Sequence, residues 1–122
     1  MSKKNISISY CLLVFFFVLL ETSCLSKSNT GQFILINDSN ELISHATVEV
    51  CDQLIEVESI KFHEEFNGTF KVKGDSHYKV AVVFASGKEI KDELGYVTHG
   101  FDFRHTITVT GSKISISDTK IE

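Results

Sequence analysis

Residues 78–85, Tyr78-Lys79-Val80-Ala81-Val82-Val83-Phe84-Ala85, decide the fold class. Tyr78, Val80, Val82 and Phe84 fall on one side of a two-residue period, with Lys79, Ala81, Val83 and Ala85 on the other. Both sides are nearly apolar, which predicts a strand in the middle of a sheet rather than at its edge. Gly74-Asp75 before it and Ser86-Gly87-Lys88 after it are turn signals.

Upstream, Asn67-Gly68 reads as a turn feeding a short strand over 69–73, with Phe70 and Val72 inward. Residues 54–66 are ambiguous. Ile55, Val57, Ile60 and Phe62 suggest a strand with a register break near Ser59, while Glu56, Glu58, Glu64 and Glu65 leave a short helix open. Ala46, Val48 and Val50 alternate with Thr47, Glu49 and Cys51, so Cys51 is expected to point away from the apolar face. Residues 38–41 are a turn, and 32–37 (QFILIN) an apolar run that reads as a buried strand.

Downstream, 88–100 lacks alternation and reads as a loop, with one helical turn over 89–94 left open. Phe101, Phe103, Ile107 and Val109 restore a strand phase, and Gly111-Ser112 turns into Ile114 and Ile116. About seven short strands separated by turns predict an antiparallel β-sandwich. The chain has no proline, so its sheet edges must be guarded by Lys and Glu.

The N-terminal end has a different character. Lys3 and Lys4 precede an apolar run over 10–20, and residues 11–24 read CLLVFFFVLLETSC. These are the parts of an export signal, with an apolar core of about 11 residues against the roughly 20 that span a bilayer. Thr22-Ser23-Cys24 resembles the end of a bacterial lipobox, although Glu21 stands where that pattern has leucine. The resemblance implies that Cys24 carries the lipid and begins the mature chain. Leu25 after it implies sorting to the outer membrane, facing the periplasm. An ordinary secretory signal cut after Ser23 or Ser26, giving a secreted or periplasmic protein, and an uncleaved anchor both remain open. The expected divisions are a signal at 1–23, a polar tether at 24–31, the sandwich at 32–117 and a polar tail at 118–122.

Ninety-nine residues after the signal suffice for one domain and not two. Setting aside Lys3, Lys4 and Glu21 leaves 10 basic and 15 acidic residues, a net charge of −5 from Cys24 onward. That balance argues against nucleic acid, whose phosphates need clustered cations. Of three cysteines, Cys11 lies in the signal. If Cys24 is lipidated, Cys51 stands alone; if not, a Cys24–Cys51 disulfide is open.

Gly31, Asn40-Glu41-Leu42-Ile43, Ala46-Thr47-Val48-Glu49-Val50, Asn67-Gly68-Thr69-Phe70 and Tyr78-Lys79-Val80 together resemble the carboxypeptidase regulatory-like domain. The match covers about residues 31–85. It implies a transthyretin-like (prealbumin-like) seven-stranded antiparallel sandwich and a non-catalytic role as anchor, spacer or recognition module. The 5-hydroxyisourate hydrolase that shares this fold ends in Tyr-Arg-Gly-Ser, whereas this chain ends in Asp118-Thr119-Lys120-Ile121-Glu122.

No constellation for catalysis stands out, and the expectation is a non-enzyme with no cofactor, no metal and no evident small-molecule substrate. His99 with His105, or His63 with Glu64 and Glu65, lacks an established ligand spacing; the histidines read as solvent-facing or turn residues. Cys51 beside Asp52 has no histidine placed near it by sequence, and reads as a partly buried structural thiol. Asn37-Asp38-Ser39 and Asn67-Gly68-Thr69 fit the glycosylation sequon of eukaryotes.

Residues 95–101, GYVTHGF, are the candidate recognition surface. Tyr96, His99 and Phe101 between glycines offer the aromatic anchors that dominate interfaces; the competing reading makes Tyr96 and Phe101 plugs of the sandwich end. The expected function is partner binding in the cell envelope, with the bilayer engaged through the N-terminal lipid. By analogy the role is that of a secretion-system accessory or immunity-type lipoprotein. The alternative is a carbohydrate- or cell-wall-binding module, or a structural spacer.

Overall fold

The structure, a computed structural model, describes residues 29–118. The signal segment, Cys24, most of the tether and residues 119–122 lie outside the described residues. The described chain is all-β. Its eight strands are β1 (Thr30–Asn37), β2 (Ile43–Val50), β3 (Gln53–Ile60), β4 (Glu65–Lys71), β5 (Ser76–Phe84), β6 (Glu89–Val97), β7 (Phe103–Val109) and β8 (Ile114–Asp118).

Two four-stranded sheets form, in the orders β4-β1-β7-β8 and β3-β2-β5-β6. The count is therefore eight, not the seven expected, and the sandwich is not wholly antiparallel. β1 runs parallel to β7, with Phe33 beside His105 and Leu35 beside Ile107, while every other pairing is antiparallel.

β5 sits between β2 and β6, as its two apolar faces predict. Tyr78, Val80, Val82 and Phe84 are buried and meet Phe33, Leu35, Ile107 and Val109 of the other sheet in one core. Each such side chain contributes about 1.5–3 kcal/mol on burial. The register break read near Ser59 is real: Ser59 has φ 60, and Val57 and Ile60 both face inward across it. A bulge at Ser44 on the neighbouring strand makes the same adjustment, bringing Ile43 and Ala46 both into the core.

Three local expectations are overturned. Residues 88–100 are not a loop or helical turn but hold β6, whose alternation is hidden because an edge strand leaves Glu89, Lys91, Asp92 and Glu93 in water. Those charges are the edge guards that a proline-free chain requires. Asn67-Gly68 is not a turn but the middle of β4. A Cβ on Gly68 would lie 2.2 Å from the Phe33 ring, so glycine is there for ring clearance, and the turn falls at 61–64 with His63 at φ 66.

Cys51 does not point outward. It leaves β2 to form, with Asp52, a two-residue hairpin turn in which both have positive φ (50 and 60). That twist carries the thiol into the core at 3% exposure. Asn37, at the end of the strand read as buried, is fully buried: its amide donates to the carbonyls of Glu41 and Ile60, both at 2.8 Å, and its oxygen accepts from the Ser39 hydroxyl at 2.6 Å. That sequon is spent on clipping the β1–β2 turn to the end of β3, whereas Asn67 is exposed.

Candidate functional site

The 98–102 loop crosses from β6 to β7 and so from one sheet to the other. What it displays depends on a bulge before it. Ser76 pairs with Val97 and Tyr78 with Leu94, so Gly95 and Tyr96 together oppose the single residue His77. Gly95 takes φ 74, and a Cβ there would lie 2.7 Å from Ile116 Cδ1 and 3.1 Å from Tyr78. The extra residue re-aims the strand, sending Val97 into the core and Tyr96 outward.

Tyr96 is 50% exposed and lies 5.5 Å from the His77 ring, centroid to centroid. The nearby Asp75 carboxylate raises the Tyr96 pKa, which keeps the phenol protonated. His77 is itself fixed through Nδ1 to the Gly95 carbonyl at 2.7 Å. His99 is exposed, and its backbone N–H donates to the same Asp75 at 3.3 Å. One carboxylate therefore acts on the Tyr96 phenol and holds the His99 backbone.

Phe101 is attached differently. It is 63% exposed and meets Phe103 edge-on at 6.5 Å; Phe103 stacks on His105 at 5.6 Å, and His105 meets Tyr78 at 5.2 Å. A ladder of rings thus runs from the surface to the core, where Tyr78 contacts Phe33 and Phe70. Neither Tyr96 nor Phe101 plugs the end of the sandwich.

Between these side chains sits Asp102. One of its oxygens accepts from the Thr30 N–H at 2.9 Å and from the Asn29 side chain at 3.2 Å, which together lower its pKa. The segment leading in from the N-terminus is thereby fastened next to Phe101. Thr30 and Gly31, the last two residues of the expected tether, already belong to β1.

Sequence reasoning missed one constellation. The Tyr78 hydroxyl lies 2.9 Å from His105 Nδ1, and His105 Nε2 lies 3.1 Å from the Asp118 carboxylate. Burial lowers the His105 pKa against the opposing pull of Asp118, so the ring is neutral: Nε2–H donates to Asp118 and Nδ1 accepts from Tyr78. Burial first, then the Cys51 and Asp118 charges, raises the Tyr78 pKa far above its ordinary value. The hydroxyl is a donor at 0% exposure and cannot serve as a nucleophile or base for a substrate in solvent.

His105 is thus neither solvent-facing nor in a turn, because it shares the inward phase of Ile107 and Val109. That parity was in the sequence and would have found it. Among the described residues no three His, Cys, Asp or Glu side chains converge as metal ligands. The outer face of β3-β2-β5-β6 has a shallow depression of about 450 Å³ lined by Thr47, Glu49, Leu54, Lys79, Ala81 and Lys91, among others.

No family model matches the chain, and no curated protein matches it. Among solved structures it is similar to a protein from Eubacterium rectale determined by NMR, at 16% identity and a TM-score of 0.52, over 80% of this chain and 93% of that one. It also aligns with the membrane-binding domain of pneumolysin, at 14% identity and a TM-score of 0.35, over 77% and 98% of the two chains. A disulfide-locked intermedilysin with human CD59 aligns at 11% identity and 0.38, where this chain spans only a quarter of that one. At these identities the Eubacterium rectale likeness establishes the fold alone: an all-β domain of sandwich type.

Proposed function

We propose that this chain is an exported, lipid-anchored β-sandwich that binds a protein partner in the cell envelope without catalysing a reaction. The observation that carries the reading is the pairing of two exposed aromatics with the chain's point of entry. Exposed Tyr96 lies at the end of β6 and exposed Phe101 in the 98–102 loop that follows, and Asp102 in that loop holds Asn29 and Thr30. Asn29 lies five residues beyond Cys24, a reach of about 17 Å at 3.3–3.6 Å per residue. A lipid on Cys24 would therefore present this end of the sandwich close to the outer membrane, facing periplasmic partners.

The finer fold we propose is transthyretin-like, of the carboxypeptidase regulatory-like kind. Supporting it are two four-stranded sheets in one domain of this length, with β1 parallel to β7. Tyr96 and Phe101 are suited to partner capture because Asp75, His77 and Phe103 limit the freedom they would lose on binding. The depression over Thr47 and Ala81 favours the second reading, a carbohydrate- or cell-wall-binding module.

Tyr96→Ala and Phe101→Ala separate the two. The first reading expects each to weaken capture of the envelope partner at least tenfold, the loss typical of an interface anchor, with the melting temperature unchanged. Retained capture, or binding to isolated cell wall that Thr47→Arg abolishes, would transfer the function to the sheet face.

A further inference from the structure

We propose that β4 pairs with the β4 of a second copy of this chain, antiparallel and centred on Gly68, joining two sheets edge to edge. In its sheet β4 pairs with β1 alone. The Val72 N–H reaches the Asn29 carbonyl and the Asn37 N–H reaches the Glu64 carbonyl, so the even-numbered positions of this segment face β1. The odd-numbered ones face away: the Lys71 N–H and carbonyl are both taken by the Gln53 side chain, at 2.9 and 2.7 Å. Asn67 and Thr69 consequently direct their backbone N–H and C=O groups outward, where four bonds to a two-fold partner can form.

The side chains fit the same two-fold axis. β4 reads Glu65-Phe66-Asn67-Gly68-Thr69-Phe70-Lys71, a pattern that mirrors itself about Gly68. Antiparallel pairing there places Asn67 opposite Thr69 and Phe66 opposite Phe70 of the second copy, with Glu65 across from Lys71 once the Gln53 amide gives up its two bonds to the Lys71 backbone. Glu65, Asn67, Thr69 and Lys71 are all exposed, so the two ion pairs and the polar pairs lie on the solvent face. A two-fold axis requires this kind of self-complementarity.

The other edges lack it. β6 carries Glu89, Lys91, Asp92 and Glu93 and is bulged at Gly95; β3 is kinked at Ser59; β8 has five residues among those described. β4 is the edge whose charges are confined to its two ends, with opposite signs.

The test is sedimentation of the protein, purified as its cells process it, over a range of concentrations. The contact is small, so a dimer with a dissociation constant on the order of 10 µM is expected. Thr69→Pro deletes an outward N–H that the β1 ladder does not use, and should give a folded monomer. Glu65→Lys and Lys71→Glu should each weaken the dimer about tenfold by setting like charges opposite each other, and the double variant should recover wild-type affinity. A wild type that stays monomeric at about 1 mM, well above that constant, overturns the proposal. So does a dimer indifferent to the swaps, or a double variant no better than the singles. Should Thr69→Pro fail to fold, the charge swaps alone decide.

Discussion

Tyr78→Phe removes a single oxygen from the centre of the core and keeps every packing contact of the ring. Its cost comes from what is left behind. His105 Nδ1 has the Tyr78 hydroxyl as its partner at 2.9 Å, and His105 is 4% exposed. Moving the proton to Nδ1 does not help, since Nε2 would then turn a lone pair toward the Asp118 carboxylate at 3.1 Å. An orphaned buried acceptor costs about 1–3 kcal/mol.

In a domain of this size each kcal/mol lowers the melting temperature by about 4–8 °C, so thermal unfolding followed by circular dichroism should show a loss of roughly 5–20 °C. Adding His105→Leu to Tyr78→Phe should recover part of that loss, because both members of the bond are then apolar. Asp118, whose side chain is 90% exposed, returns to water. A single variant melting within about 2 °C of wild type, or a double variant less stable than the single, would refute the argument that the hydroxyl satisfies a buried ring nitrogen.

The same ring sets a pH dependence. The folded pKa of His105 is lowered from 6.5, so below about that pH the unfolded chain binds a proton that the folded chain resists. Its stability contribution is intact above the unfolded value and declines as pH falls; urea midpoints should drop between about pH 7.5 and 5, and His105→Gln should flatten that slope. Gly95→Ala should destabilise by about 1–3 kcal/mol, from left-handed strain plus crowding. Gly74→Ala is the matched control, having φ 66 but nothing within 4 Å of the added carbon, and should cost less. Equal losses would show that contact with Ile116 and Tyr78 is not what selects glycine at 95.

The architecture was legible where one sheet face is buried, because burial imposes the two-residue period: β1, β2, β5 and β7 all carry it. It faded where burial ends. β6 has water on most of its surface, so charge replaced alternation and the strand read as a loop. Local signals misled when a tertiary neighbour had reassigned the residue. Gly68 looked like a turn glycine because nothing local reveals the Phe33 ring above it, and Cys51 looked outward because counting parity assumes the strand continues.

The candidate surface was partly legible. Tyr96 and Phe101 stood out as aromatics between glycines, but Asp75, twenty-one residues before Tyr96, and Asp102 acquire their roles only through folding. His105 was the avoidable miss, since it kept the phase of its apolar neighbours.

The claim beneath the proposed function is that the chain is processed at Cys24 and held at a membrane by lipid. Intact mass of the protein purified from the membranes of producing cells, for wild type and Cys24→Ala, addresses it directly. The account predicts a wild-type chain beginning at Cys24 with diacylglycerol and acyl mass added, and loss of that species in the variant. A bare chain cut near Ser23 or Ser26, or one retaining Met1, would contradict it.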